Sequence, residues 1–169
     1  MLRFTVVGTP VAQPRPRMVK KTGAVYNPHD ADHWKAQVKY ATTQAVKDAI
    51  PSGGPHKSDH PFFLQLTFRL PRPASHWKKN GTPEIEKFEC YFARGKQDAD
   101  NLAKGVMDAM TQAIASPWTD DNVVVALLVI KCWTTKQPGV DASLVDLHGR
   151  EREAFEVLAS IADMIEVQF

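Results

Sequence analysis

Cysteine is nearly absent: Cys90 and Cys132 are the two in 169 residues, and they lie far apart. Neither a disulfide framework nor a paired-cysteine zinc site can be built from them, and a reducing compartment fits best. Nowhere do ~18 apolar residues run together, so no transmembrane helix is expected. The opening Met1-Leu2-Arg3-Phe4 passes directly into a strand-like segment without a signal-peptide pattern, and we expect a cytoplasmic protein. No P-loop, dinucleotide-binding fingerprint or serine–histidine nucleophile motif occurs, so no nucleotide cofactor is expected. The histidine pairs His29/His33 and His56/His60 have a four-residue spacing, but the first straddles the expected helix start and the second lies in a Pro/Gly-rich loop without a third ligand, so neither is read as a structural metal site.

Charge is scarce in sum but not in distribution. The net +2 is made of a basic first half and an acidic remainder. Residues 1–50 hold eight lysines and arginines against three acids, whereas residues 98–121 hold one against five. Phosphate attraction around a pocket and cation attraction inside it is the balance a metal-dependent nuclease needs. We expect Arg15, Arg17, Lys20 and Lys21 of a proline-containing loop over residues 9–30 to contact DNA, together with Lys78 and Lys79.

The chain is long enough for one domain with a real core. Leu2 to Val7 reads as a strand, stopped by Gly8 and Pro10. Asp30 or Asp32 can cap a helix running to about Ile50, with Trp34, Val38, Ala41 and Ala45 buried and Lys35 and Lys39 on the outer surface. After a Gly/Pro-rich connector, Phe62 to Leu70 alternates as a half-buried strand. Pro71 to Glu86 reads as a polar loop in which Trp77 packs locally. A short strand near Phe88 to Ala93 precedes a helix. Val123 to Trp133 reads as a buried strand, and Val140 to Leu147 as the last. The order predicts an α/β (α+β) fold, two helices packed on a mixed sheet. Residues 149–169 predict an extra amphipathic helix through Ala154, Leu158, Ile161 and Ile165, packed on the core or on a partner subunit.

The acids carry the chemistry. Asp98 and Asp100 are two apart, which puts their carboxylates on one side of an extended segment. Asp100, Lys104 and Asp108 then follow in four-residue steps. Turning roughly 100° per residue, Lys104 and Asp108 fall within about 80° of Asp100. Leu102, Ala103, Val106, Met107, Ala109, Met110, Ala113 and Ile114 fill the opposite arc of an amphipathic helix starting near Asp100. Clustered carboxylates repel, and a hard divalent cation removes that penalty. Taken singly, Asp100-Asn101 reads as a cap and Asp120-Asp121-Asn122 as a turn. Taken together, with Lys104 inside the cluster, they read as a metal site, with Asp108 pairing with Lys104.

The pattern Asp98-x-Asp100-Asn101-Leu102-x-Lys104-x-x-x-Asp108, followed by Trp118-x-Asp120-Asp121, resembles the RusA family of Holliday-junction resolvases. Gly8 to Arg17 resembles the family's basic N-terminal loop, Val25-Tyr26-Asn27-Pro28 the entry to its first helix, and Phe68 to His76 the exit of the second strand in phage-type members. The resemblance covers roughly residues 1–147, which sets a nuclease domain of 1–148 and a C-terminal extension of 149–169. It implies Asp98, Asp100 and Asp121 as catalytic and metal-binding acids, with Asp120 the alternative to Asp121, and Lys104 as the functional lysine. Gln97 stands where many members have proline. It further implies Mg²⁺, with Mn²⁺ as a substitute, a homodimer, a four-way DNA junction as partner, and the cytoplasm of a bacterial or phage-infected cell. Two other readings carry over: a broader branched-DNA or flap endonuclease, and a non-catalytic junction-binding protein.

Overall fold

A computed structural model describes residues 1–14, 16–26, 28, 31–50, 57–83, 91–93 and 97–164. The elements are β1 (Leu2–Val7), β2 (Arg17–Met18), β3 (Val25–Tyr26), α1 (Asp32–Ala49), β4 (Phe62–Pro71), β5 (Tyr91–Phe92), α2 (Ala99–Thr111), β6 (Val124–Thr134), β7 (Gly139–Asp146) and α3 (Glu151–Met164). Five strands form one mixed sheet in the order β1-β7-β4-β6-β5. Its central pair β4·β6 is parallel and the other pairings are antiparallel. This is the expected α+β layer. The long loop over 9–30 is not wholly irregular, because β2 and β3 close a small antiparallel ribbon, Arg17 opposite Tyr26.

Alternation decides which face is covered. In β4 every second residue from Phe62 to Leu70 is buried, and the intervening ones are half-exposed. The register sets Leu64 beside Leu144 and Leu66 beside Ala142, so one apolar face runs across the sheet. Trp34 and Val38 of α1, and Leu102, Ala103, Val106, Ala109 and Met110 of α2, pack on that face. Each valine, leucine and methionine among them contributes roughly 1.5–3 kcal/mol by leaving water.

Several local expectations change. Asp30 lies outside the described residues, and Ala31 occupies the cap of α1, which leaves Asp32 in the first turn. There its charge meets the positive end of the helix. Lys35 is not on the outer surface; it turns toward α2, with its side chain 16% exposed. Ile114 is exposed because α2 ends at Thr111, before the apolar arc reaches it. The strand β6 is not buried throughout: Val125, Leu127 and Leu128 are exposed. The physical reason is that β5 covers only Cys132 and Trp133, leaving the earlier part of β6 as a free edge among the described residues.

The extra helix is present as α3, with Ala154 and Leu158 half-buried, while Phe155 and Val157 are exposed. Ile165 lies outside the described residues. Contacts between α3 and the other elements are sparse. Its root is held by Arg150, whose guanidinium donates to the carbonyl of Asp146 at 2.7 Å.

Candidate active site

The acid pair sits at the start of α2. Asp98 is extended (φ −71°, ψ 143°) and occupies the cap position, while Asp100 lies in the first turn. The pair therefore straddles a helix start instead of sharing an extended segment. The Asp98 carbonyl accepts the first helical bond, from Leu102 N–H at 3.1 Å. Its carboxylate does not cap the backbone; Asn101 Nδ2 donates to Oδ2 at a long 3.4 Å. Both carboxylates are exposed, and both sit where unsatisfied N–H groups and the helix dipole favour negative charge.

Lys104 and Asp108 follow on the same rim. The Lys104 ammonium lies 3.9 Å from Asp108 Oδ1, and Lys35 reaches Oδ2 of the same carboxylate at 3.8 Å. Asp108 is thus matched by two cations from two helices, the pairing role expected of it. Lys104 keeps a side chain 60% exposed, so its charge remains open to a ligand.

The second acidic segment is fixed from below. Trp118 is fully buried; its indole N–H donates to Thr111 Oγ1 at 2.8 Å, and Ser116 Oγ donates to its carbonyl at 2.7 Å. The 57–60 strap reinforces it, with Ser58 N–H donating to the Pro117 carbonyl and Thr119 Oγ1 donating to Asp59. Asp120 Oδ1 accepts from Asn122 N–H at 2.9 Å, capping a 3-10 turn over Asp121–Val123. That bond uses one oxygen of exposed Asp120, and Asp121 beside it is half-buried. The strap and the Trp118 anchor were not read from the sequence, because Ser58 and Asp59 lie sixty residues away inside a connector.

One chain does not gather the three acids. The start of α2 is beside residues 10–13, beyond the end of β1, whereas Thr111 at its other end meets Trp118, just before β6 begins. Thirteen residues of α2 span about 20 Å at 1.5 Å each. Asp98 and Asp100 therefore stand near one end of the sheet and Asp121 near the other. Among the described residues, no three histidine, cysteine or acidic side chains form a metal-holding group.

The basic arm is rooted on α2. Gln97 Nε2 donates to the Pro10 carbonyl at 3.1 Å, and Gln13 N–H donates to the Asn101 carbonyl at 2.9 Å. The root passes over Gly105, where a Cβ would lie in ordinary contact, 3.4 Å from Gln13 N and 3.6 Å from Val11 O. Beyond the root, Arg17, Lys20 and Lys21 are exposed on the β2–β3 ribbon, and Arg15 lies outside the described residues. Lys78 and Lys79 are exposed on a separate turn, closed by Lys78 N–H to the Thr82 carbonyl at 2.8 Å. Trp77 is exposed, with its indole N–H 3.5 Å from the Arg72 carbonyl.

Of the histidine pairs, His29 and His56 lie outside the described residues. His60 Nδ1 sits 3.0 Å from Asp146 Oδ2, and its ring stacks on His148 with centroids 4.1 Å apart. Burial pushes the Asp146 carboxyl up, but the His60 hydrogen bond, the His148 backbone N–H and the two imidazoles outweigh it. Its pKa lies below the ordinary carboxylate value.

The family described as endodeoxyribonuclease RusA matches residues 8–144, which include the arm, both helices of the core and Asp98, Asp100, Asp108, Asp120 and Asp121. The chain belongs to the RusA family. It is accordingly an endodeoxyribonuclease, of a family that acts on branched DNA and resolves Holliday junctions. A Bacillus subtilis (strain 168) protein described as uncharacterized protein YqaN is 32% identical over 147 residues, covering 85% of this chain and 94% of that protein. No described helix is long and apolar enough to cross a membrane.

Proposed function

We propose that this RusA-family member is a Mg²⁺-dependent resolvase that cuts four-way junctions by paired symmetric nicks as a homodimer, in DNA recombination and repair. The observation that carries this reading is the rooting of the basic arm on the same helix start that bears Asp98 and Asp100. Phosphate held by the arm is thereby delivered beside two exposed carboxylates.

The donor chemistry fits the cation. Mg²⁺ takes hard oxygen ligands, commonly one or two carboxylates with waters and substrate phosphate completing the shell. Asp98 and Asp100 would hold it, with Asp121 as a further carboxylate, and Mn²⁺ would substitute. When bound, the metal supplies Lewis-acid polarisation of the scissile phosphate and a more acidic water. Lys104, exposed one turn along from Asp100, offsets charge that builds on the phosphate during cleavage. Arg15, Arg17, Lys20, Lys21, Lys78 and Lys79 hold the flanking backbone phosphates.

The separation of the acids supports a dimer with shared sites. A two-fold pairing that lays the α2 start of one copy against the Asp121 end of the other would complete two equal sites. The exposed apolar residues Val125 and Leu127, just after Asp121, suit such an interface. Residues 1–148 form the nuclease unit in this reading, and α3 is an appendage to it. The cytoplasm of a bacterial or phage-infected cell is the setting that suits such an enzyme.

The test is cleavage of a synthetic four-way junction with and without Mg²⁺, beside a flap and a plain duplex. Symmetric nicks that require Mg²⁺ and favour the junction are expected. Equal cutting of the flap would point to a broader branched-DNA nuclease, and tight junction binding without cutting would contradict the proposal.

A further inference from the structure

Lys131 stands in β6 opposite Phe68, on the face covered by the helices. Its side chain is partly buried, and its ammonium donates to the carbonyl of Gln97. Among the described residues no carboxylate lies within ion-pair distance of it. A strongly hydrated ammonium does not enter such a place without a return. The carbonyl it holds belongs to the peptide unit that supplies the Asp98 nitrogen, so the bond fixes the entry of the chain into Asp98 and Asp100.

Gln97 is restrained on its other side as well. Its side-chain amide donates to Pro10 at the root of the basic arm. The residue thus lies between a strand anchor and the arm, immediately before the acid pair. A glutamine does not fix its own φ as a proline ring would, so the backbone here is held by these contacts instead.

We propose that Lys131 is a positioning residue for the acid pair, acting through the Gln97 carbonyl to hold Asp98 and Asp100 for a divalent cation. This rests on the reading of Asp98 and Asp100 as metal-binding acids. Groups that support metal ligands typically change metal affinity or activity by roughly 10–100-fold when removed.

The experiment uses the full chain and three measurements: Mn²⁺ binding to DNA-free protein by calorimetry, single-turnover junction cleavage at saturating Mg²⁺, and junction affinity in Ca²⁺. Lys131→Met is expected to weaken Mn²⁺ binding and slow cleavage, each about tenfold or more, with junction affinity held within about twofold. Lys131→Arg, which keeps a cationic donor, should recover part of both losses. If Lys131→Met does not fold, Lys131→Gln, too short to reach the Gln97 carbonyl, should show the same pattern. Mn²⁺ binding that is unchanged or tighter in the neutral variants overturns the proposal, as does a lower melting temperature with unaltered cleavage per folded molecule. Asp98→Asn separates the two layers. If it abolishes Mn²⁺ binding while the Lys131 variants do not, the role of Lys131 alone fails; if it leaves Mn²⁺ binding intact, the metal reading fails and the proposal with it.

Discussion

Gly105 and Gln13 approach so closely that a Cβ on Gly105 would lie 3.4 Å from the Gln13 backbone nitrogen. This is ordinary van der Waals contact for one methyl group and too little room for a branched side chain. The relationship excludes a branched side chain in the middle of α2 but does not require glycine, which costs about 0.5–1 kcal/mol relative to alanine there.

Gly105→Ala should therefore fold normally and bind junction much as the wild type does. Gly105→Val should keep the fold but lift the arm root from α2, weakening junction binding several-fold. Melting curves and junction titrations of the two variants check this, and a valine variant binding like wild type would remove the arm root from DNA recognition.

Asp108 holds two lysines at long range, and its role is structural. Asp108→Asn should lower stability by about 0.5–1 kcal/mol and leave junction cleavage within a few-fold. Lys104→Met should do the reverse, with little change in stability and a large loss of single-turnover rate. Comparing urea midpoints with cleavage rates for both variants tests the division of labour.

The exposed ribbon cations make a distinct forecast. Replacing Arg17, Lys20 and Lys21 with alanine one at a time should flatten the dependence of log affinity on log salt by about one unit per lost phosphate contact. The replaced residue should weaken junction and plain duplex alike. An unchanged slope would place that side chain off the DNA.

The clasp of His60, His148 and Asp146 gives a pH signature. Because the folded pKa of Asp146 is depressed, its contribution is present above the unfolded carboxylate pKa, about 4, and is lost as pH falls through the lower folded value. Melting temperatures of wild type and Asp146→Asn should differ at pH 6 and converge as pH falls through the depressed folded value. A difference undiminished at the acid end would exclude the carboxylate as its source.

Much of this was legible in the residues because short-range rules decided it. The alternation in β4 and the apolar arc of α2 fixed both elements and their buried faces, and Leu2–Val7 was bounded by its own stop residues. What escaped was set by distant partners. An apolar run such as Val123 to Trp133 says nothing about whether a neighbouring strand covers its edge, so the exposure of Val125 and Leu127 could not be read. The same holds for Lys35, whose turn toward Asp108 depends on how α1 packs against α2. The acids were recognisable from their spacing, but spacing along the chain does not tell that α2 carries Asp98 and Asp121 to opposite ends.

That separation supplies the most direct measurement. Asp98→Asn and Asp121→Asn are each expected to abolish junction cleavage while retaining junction binding. If sites are shared between copies, mixing the two variants creates dimers in which one site joins an intact Asp98 with an intact Asp121. The account predicts that the mixture regains nicking at one site per dimer, with Mg²⁺ required. A mixture as inactive as its components, under conditions where subunits demonstrably exchange, would contradict it, as would near-normal cutting by either variant alone.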